Sequence, residues 1–550
     1  MFGRIKPVFE NRFPQRRGLL SSAAVAVAAV CGLAAAAPAQ AQTIDDALRY
    51  TQRAPAGGDA RSMALSGAGR AGLGDAAPAL YLNPAGLGWM SSSSASGAFA
   101  LIGAQDEARF RAGTFDPTDP QSSDVSDYGG HLTLAYKVPT TQGALVFAGG
   151  YRQVNTFGRN FTFRGSNDQN SITDTFLPVN PTGDVDDLPA VPYAAYQGGA
   201  IASYGDDYPY RQAVTPGTTI EQIGEVTEEG RLSELNLGAG VAAAENVMLG
   251  LSFNMASGTY RNDQFFEEAD LNDQNPLSAY SVILQGETAA EDDTLRGFDG
   301  LINESRFESD LSGVNLRGGL SAKALPGLRL GLTLETPTFY QVSEQYTEAD
   351  VTTFFDDGNQ LRYGDQSEDV GVGEIEYEVL TPFRLGAGFR FNTLALTGGV
   401  ADLSLIGDVE VVDWRQLRLD ADQFDFSDEN EIGDENFQTV FNTNLGAELH
   451  AAGASLRAGF AYRPDPQKGK FTLANGEASN SDRTFFSAGL GYTFANNVRV
   501  DLSWMQERFD DQFRPYPSVE VPDSGTQITA PSVSQEIVRN RFLVGVTYSF

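Results

Sequence analysis

One cysteine, Cys31, occurs in 550 residues, inside an apolar run near the N-terminus. A chain that loses this run has no thiol, which excludes a disulfide framework, thiolate chemistry and cysteine-held zinc. Val30, just before it, is too large for a lipoprotein processing site. Histidine is almost as scarce: only His131 and His450 are present, far apart in sequence. A histidine-based nucleophile system has one candidate imidazole at most, so a hydrolase is not expected, and no spacing suggests a metal or cofactor. Bases are outnumbered, 38 against 72 acids, for a net charge of −34. Such a surface repels phosphates, so nucleic acid is not expected as a partner. Acid runs such as Glu291-Asp292-Asp293 and Asp428-Glu429 lack the central glycine of a calcium loop and read as solvated loop surface. Beyond residue 41 there is no apolar stretch of the roughly 20 residues that a membrane-spanning helix needs.

The first 41 residues are of a different kind. Arg4, Lys6, Arg12, Arg16 and Arg17 precede an Ala/Val/Leu run, and Ala39-Gln40-Ala41 has the small-x-small form of a cleavage site. Residues 1–41 therefore read as a signal peptide for export. From Asp59 to Met90 comes a run of small residues that does not alternate as a strand would. Gly67, Gly69, Gly72 and Gly74 punctuate it, and Asn83-Pro84-Ala85-Gly86-Leu87 follow. Asn83 reads as a helix cap with Pro84 in the first helical position, where a missing N–H costs nothing. Short turns of this kind bury too little surface to offset roughly 1–2 kcal/mol of backbone entropy per residue, so residues 42–94 must pack inside something larger.

From residue 95 to 550 apolar and polar residues alternate with the period of a strand. Val247, Leu249, Leu251, Phe253 and Met255 alternate with Met248, Gly250, Ser252 and Asn254; Leu328, Leu330, Leu332 and Leu334 alternate with Arg329, Gly331, Thr333 and Glu335. About fourteen strands result, the third spanning 143–164 and the last 536–550. Connections alternate between tight and long. Pro139 to Gln142, Glu245, Leu325-Pro326, Asn392, Ala451-Ala452 and Ala495 are tight turns, whereas 165–229, 263–302, 346–370, 417–436, 464–482 and 511–535 are long and acidic. An all-β, transmembrane antiparallel barrel with long extracellular loops has this asymmetry. It places the protein in a bacterial outer membrane, in contact with outer-membrane lipid, with both termini in the periplasm. Tyr136, Tyr260, Trp414, Tyr462, Tyr492, Trp504 and Tyr548 read as outward aromatic girdles. The final strand, with Tyr548 and Phe550, resembles the insertion signal read by the barrel assembly machinery.

The stretch Asp75-Ala76-Ala77-Pro78-Ala79-Leu80-Tyr81-Leu82-Asn83-Pro84-Ala85-Gly86-Leu87 resembles the N-terminal hatch of the OmpP1/FadL/TodX family, whose hallmark is an Asn-Pro-Ala motif. Leu456 to Tyr462 with Pro464 and Pro466, and Gly407-Asp408 followed by Trp414, are similar to late strands of that family. The resemblance implies a fourteen-stranded barrel plugged by the hatch, taking up long-chain fatty acids or other hydrophobic compounds along a lateral path. It also implies an inward bend in the third strand, for which Gly149, Gly150 and Gly158 are the candidate positions. The hatch is similar as well to that of PorV proteins, which serve type IX secretion, and a porin-like or structural barrel is a further alternative.

Overall fold

The computed structural model describes residues 43–55, 59–178, 185–202, 210–215, 217–275, 281–283, 294–347, 350–364, 371–393, 402–473, 475–494, 497–521 and 526–550. The signal-peptide reading of residues 1–41 and the Ala495 turn lie outside them. Fourteen antiparallel strands close on themselves: β1 Ser94–Arg111, β2 Gln121–Lys137, β3 Leu145–Thr156 resuming as Arg159–Asn167, β4 Ile220–Ala244, β5 Val247–Ala269 and β6 Gly300–Leu325. Then come β7 Leu328–Glu335 resuming as Phe339–Thr347, β8 Val372–Leu380 resuming as Arg384–Asn392, β9 Asp402–Asp413, β10 Thr439–Ala451, β11 Ala454–Arg463, β12 Arg483–Phe494, β13 Val498–Phe513 and β14 Ser532–Ser549. β14 pairs with β1 along its whole length, Ser94 opposite Ser549 and Arg111 opposite Ser532, so the first and last strands close the wall on itself.

The wall is apolar outside and polar within. On β2, Leu132 and Leu134 are 67% and 59% exposed while Thr133 between them is 1% exposed. Leu330, Leu332 and Leu334 on β7, and Leu249, Leu251 and Phe253 on β5, likewise face outward. A continuous apolar belt of this kind has no place in water, where monomeric proteins seldom expose patches above a few hundred Å². The solvent on that side is lipid, and the chain crosses with strands; among the described residues no helix is long and apolar enough to cross.

The outward aromatic set divides. Tyr136, Tyr492 and Tyr548 are exposed at strand ends, but Tyr260 and Trp414 are buried in the lumen. Strand register explains both corrections: Tyr260 shares the inward parity of Asn254 and Ala256, and Trp414 lies just past the end of β9, where alternation no longer assigns a face. Asn392 is the last residue of β8 and Asp402 the first described residue of β9; residues 394–401 between them lie outside the described residues.

The long connections build a cap over one end. Phe110, Phe163, Phe266, Phe298, Phe355 and Tyr516 form its apolar centre. Glu268 at the tip of β5 pins the loop after β3 by accepting from the backbone N–H of Ile172 at 2.9 Å, from Gln222 at 2.7 Å and from the Ser171 hydroxyl.

At the opposite end Phe550 donates its N–H to the carbonyl of Ser93 at 3.0 Å, and its ring stacks on Tyr548 with centroids 5.8 Å apart. The terminal residue therefore pins the closing strand to the start of β1. Deleting Phe550 is expected to lower the yield of folded, heat-modifiable barrel more than deleting one residue from the loop at 464–482. Gel migration before and after boiling measures it, and equal yields would defeat the insertion-signal reading.

Candidate functional site

The segment before β1 threads the lumen from the long-loop end to the short-turn end. Its first helix, α1 (Ile44–Thr51), is capped by Thr43, whose hydroxyl accepts from the N–H of Asp46 at 3.2 Å, with Asp45 and Asp46 in the first turn. Glu429, in the loop between β9 and β10, accepts from the N–H of Ile44 at 2.9 Å. The described chain thus starts at the long-loop end. Counting strands fixes the side of each strand end but not that of a segment running through the lumen.

α1 presents Ile44, Ala47, Leu48 and Tyr50 to an apolar chamber that includes Phe157, Tyr260, Phe307, Tyr340, Trp414 and Phe437. Tyr50 is 3.3 Å from the Tyr377 hydroxyl, which donates to Glu344 at 2.9 Å; Ser309 donates to the same carboxyl at 2.6 Å.

Below α1 come α2 (Ala60–Ala64), capped by Asp59, and α3 (Ala76–Leu82). A 3-10 helix from Pro84 to Trp89 follows, with Pro84 at its start and Asn83 as cap. Gly72 and Gly74 turn the chain between α2 and α3 at φ +95 and +87, a region closed to most side chains. The Asn83 amide does more than cap. Its oxygen accepts from the N–H of Ala85 at 3.0 Å, and its NH2 donates to the carbonyls of Arg70 at 2.6 Å and of Leu320 on β6 at 3.1 Å.

The wall leaves room for this corner. A Cβ at Gly319 would collide with the Asn83 side chain, one at Gly250 with the backbone of Pro84 and Ala85, and one at Gly331 with the Arg70 carbonyl. Gly240 meets Leu87 and the N–H of Gly88, and Gly86 packs on Ala79. Alternation marked these wall glycines only as inward positions; their role as a socket depends on a partner more than 100 residues away.

Gly250→Val is expected to cost about 1–3 kcal/mol by overpacking against Pro84. It should lower the temperature at which the folded gel band is lost, while Leu251→Val on the lipid side of the same strand should not. Equal thermal profiles for the two variants would disprove the socket.

Ion pairs fix the rest of the hatch. Arg53 reaches Glu335 at 2.6 Å, Arg61 reaches Asp75 at 2.8 Å and also pairs with Glu448, and Arg70 pairs with Glu410. Asp408 accepts from the N–H groups of Gly69 and Arg70 at 2.7 and 3.0 Å, and Arg499 holds Asp75 at 2.9 Å. Each pair is largely desolvated, and removing one partner from such a pair typically costs about 3–5 kcal/mol.

Between β2 and β3 the wall is interrupted. β3 pairs with β2 only from His131↔Arg152 to Lys137↔Val146, so residues 121–130 of β2 have no ladder on that side. β3 carries a bulge near Val154, breaks at Phe157-Gly158 and continues as a second half paired to β4. That half turns inward: Arg159 bonds to the inward-facing Asp106 of β1 at 3.0 Å, Asp511 of β13 at 3.0 Å and Gln535 of β14.

Gly158 lies at the break, whereas Gly149 and Gly150 do not mark a bend. They sit in unbroken ladders opposite Leu134 and Thr133 of β2. Gly150 is small for another reason, since a Cβ there would crowd the Tyr81 and Thr133 hydroxyls at 2.8 Å, where the hatch meets the wall. Across from the break, Gly230 of β4 has φ +116 and accepts the N–H of Phe157 at 3.0 Å. A glycine inside a strand is the sequence signal that could have singled it out. Ala100, Ile102, Gly129, Gly130, Val154 and Leu543 line a mainly apolar cavity of about 60 Å³ beside the interruption; Ala54 and Met63 of the hatch line it too, and Gln153, Asn155, Thr156 and Arg541 form its polar side.

A closed fourteen-stranded barrel, lipid-facing outside and filled by its own N-terminal segment, defines a hatch-plugged transmembrane barrel. Among solved structures, a Pseudomonas aeruginosa FadL homologue matches with a TM-score of 0.53 at 11% identity, covering 90% of this chain and 98% of that one. The fold is accordingly the FadL/TodX fold. The toluene transporters TodX of P. putida and TbuX of Ralstonia pickettii also match, with TM-scores of 0.47 and 0.42 and identities of 12% and 13%. Each covers 90% of this chain and 98% of its own. The sequence matches no protein-family profile and no curated protein.

Proposed function

We propose that the protein belongs to the OmpP1/FadL/TodX family and carries hydrophobic small molecules, fatty acids or hydrocarbons, inward across a bacterial outer membrane. In this reading residues 43–93 are the hatch, Asn83 to Leu87 its anchor on the wall, and the interruption at Gly158 the exit into the bilayer. Tyr548 and Phe550 serve recognition by the barrel assembly machinery.

The observation that carries the proposal is the interruption between β2 and β3 beside a hatch tied down by ion pairs. A path straight through the hatch would require breaking several desolvated pairs, whereas a sideways path breaks none of those between hatch and wall. An acyl chain gains roughly 0.8 kcal/mol per methylene removed from water, so an apolar route into lipid favours it and a watery pore does not. Uptake of labelled fatty acid and of toluene by cells with and without the gene tests the reading. Equal uptake in both strains, with the barrel verified in the membrane, would remove it.

A further inference from the structure

Along β4 to β8 the outer face of the wall changes character at one register. Ser233 of β4 lies opposite Ser257 of β5, Ser257 opposite Ser312 of β6, Ser312 opposite Gln341 of β7 and Gln341 opposite Glu378 of β8. Glu378 in turn lies opposite Asp420, in a short strand (Arg418–Asp420) of the loop after β9. Two residues nearer the short-turn end, the matching row is Leu235, Met255, Val314, Phe339 and Leu380. Both rows share the outward parity of Leu249 and Leu251, so the apolar belt ends here in a single step.

On the long-loop side of that step the outer face is hollowed into a groove of about 1350 Å³. Exposed Tyr151 of β3 bounds it on one side, its hydroxyl donating to Ser233 at 2.9 Å, and exposed Phe424, beyond β8, bounds it on the other. The loop bearing Phe424 is held from both ends. Asn430 in the helix that follows (Ser427–Asn436) accepts from the N–H of Leu419 and donates to its carbonyl, each at 2.9 Å.

The hydrogen-bonding groups of the groove are one-sided. Six carboxylates line it, those of Asp310, Glu374, Glu376, Glu378, Asp420 and Asp422, against the one guanidinium of Arg231, which lies 4.9 Å over the Tyr128 ring. An ionised carboxylate only accepts hydrogen bonds, so the complementary ligand is rich in donors. Bare phosphate is an acceptor of the same charge and is repelled. A saccharide brings a hydroxyl on most of its carbons, and the apolar faces of its rings suit Tyr151 and Phe424. The row beneath decides where such a saccharide comes from. A soluble sugar has no use for Leu235, Val314 and Phe339, whereas a glycolipid lays its acyl chains on them and its sugar directly above.

We propose that this groove holds the unphosphorylated saccharide headgroup of an outer-leaflet glycolipid, with the acyl chains on the apolar row below. The inference requires the barrel to be in its membrane but does not rest on the transport reading.

The test is native mass spectrometry of the full mature chain released from polyoxyethylene micelles, which carry no competing sugar. A monoglucosyl diacylglycerol and a phosphatidylglycerol of the same acyl chains are supplied in equal amounts. The parent is expected to retain the glucosyl lipid about tenfold better. The double variant Ser312→Ala, Glu378→Gln should lose most of that preference, while Asp124→Asn, exposed on β2 outside the groove, should keep it. Parent and variants should all show the heat-modifiable band. Equal retention of the two lipids by the parent would overturn the saccharide reading, and a switch to phosphatidylglycerol on adding magnesium would replace it with a cation-bridged phosphate. An unchanged preference in the double variant would overturn the groove as the site. Displacement of the glucosyl lipid by an equal concentration of free maltose would overturn the lipid as the source of the sugar.

Discussion

A barrel lacking residues 43–90 is expected to conduct ions steadily in a planar bilayer, where the full mature chain stays closed. Eight strands enclose a space their own side chains can fill, but fourteen do not, so the lumen depends on the inserted segment for closure. That segment contributes α1 at the long-loop end and the Asn83 corner packed on Gly250 and Gly319 nearer the short turns. The wall should survive its removal, because the ladder from β1 round to β14 uses no hatch backbone. Glu335, Glu410 and Glu448 would lose Arg53, Arg70 and Arg61, but water entering the emptied lumen would resolvate them. The single change Arg61→Ala should therefore lower the unfolding temperature of the intact protein, since it leaves Glu448 short of a partner in a filled lumen. A large steady conductance from the full mature chain would instead make the protein a porin.

How much of this was legible in the sequence follows from the range of the interactions. Alternation along Leu328 to Glu335 is a local consequence of pleating, so strand number and the outward faces of such runs could be read directly, though not the faces of Tyr260 and Trp414. The cap at Asn83 and Pro84 is local as well. What was hidden depends on register and on contacts between distant segments. Gly149 and Gly150 resembled a bend because glycine in a strand signals either a bend or a close approach; only their unbroken ladder opposite Leu134 and Thr133 excludes the bend, and only the neighbouring Tyr81 hydroxyl marks Gly150 as a close approach. The start of α1 at the long-loop end rests on contacts such as Ile44 with Glu429, 385 positions apart.

Filling the cavity beside the β2–β3 interruption is expected to abolish uptake while sparing the barrel. Ala100 faces inward on β1, 4% exposed, and lines this cavity with Ile102, Val154 and Leu543. Ala100→Phe adds a ring comparable in size to the space available, so it should occupy the opening at an overpacking cost of about 1–3 kcal/mol. That is tolerable for a wall whose β1–β2 and β1–β14 ladders remain intact. An acyl chain of ten methylenes gains roughly 8 kcal/mol on leaving water, but only along a route wide enough to admit it. Uptake of labelled decanoate or toluene should therefore fall at least about tenfold, which corresponds to a barrier increase of only about 1.4 kcal/mol. Leu101→Phe, one residue along on the lipid side, is the control and should take up substrate like the parent. If Ala100→Phe and Leu101→Phe transport equally well and both show the heat-modifiable band, the exit does not lie at the interruption, and a route past the hatch at the short-turn end becomes the better explanation.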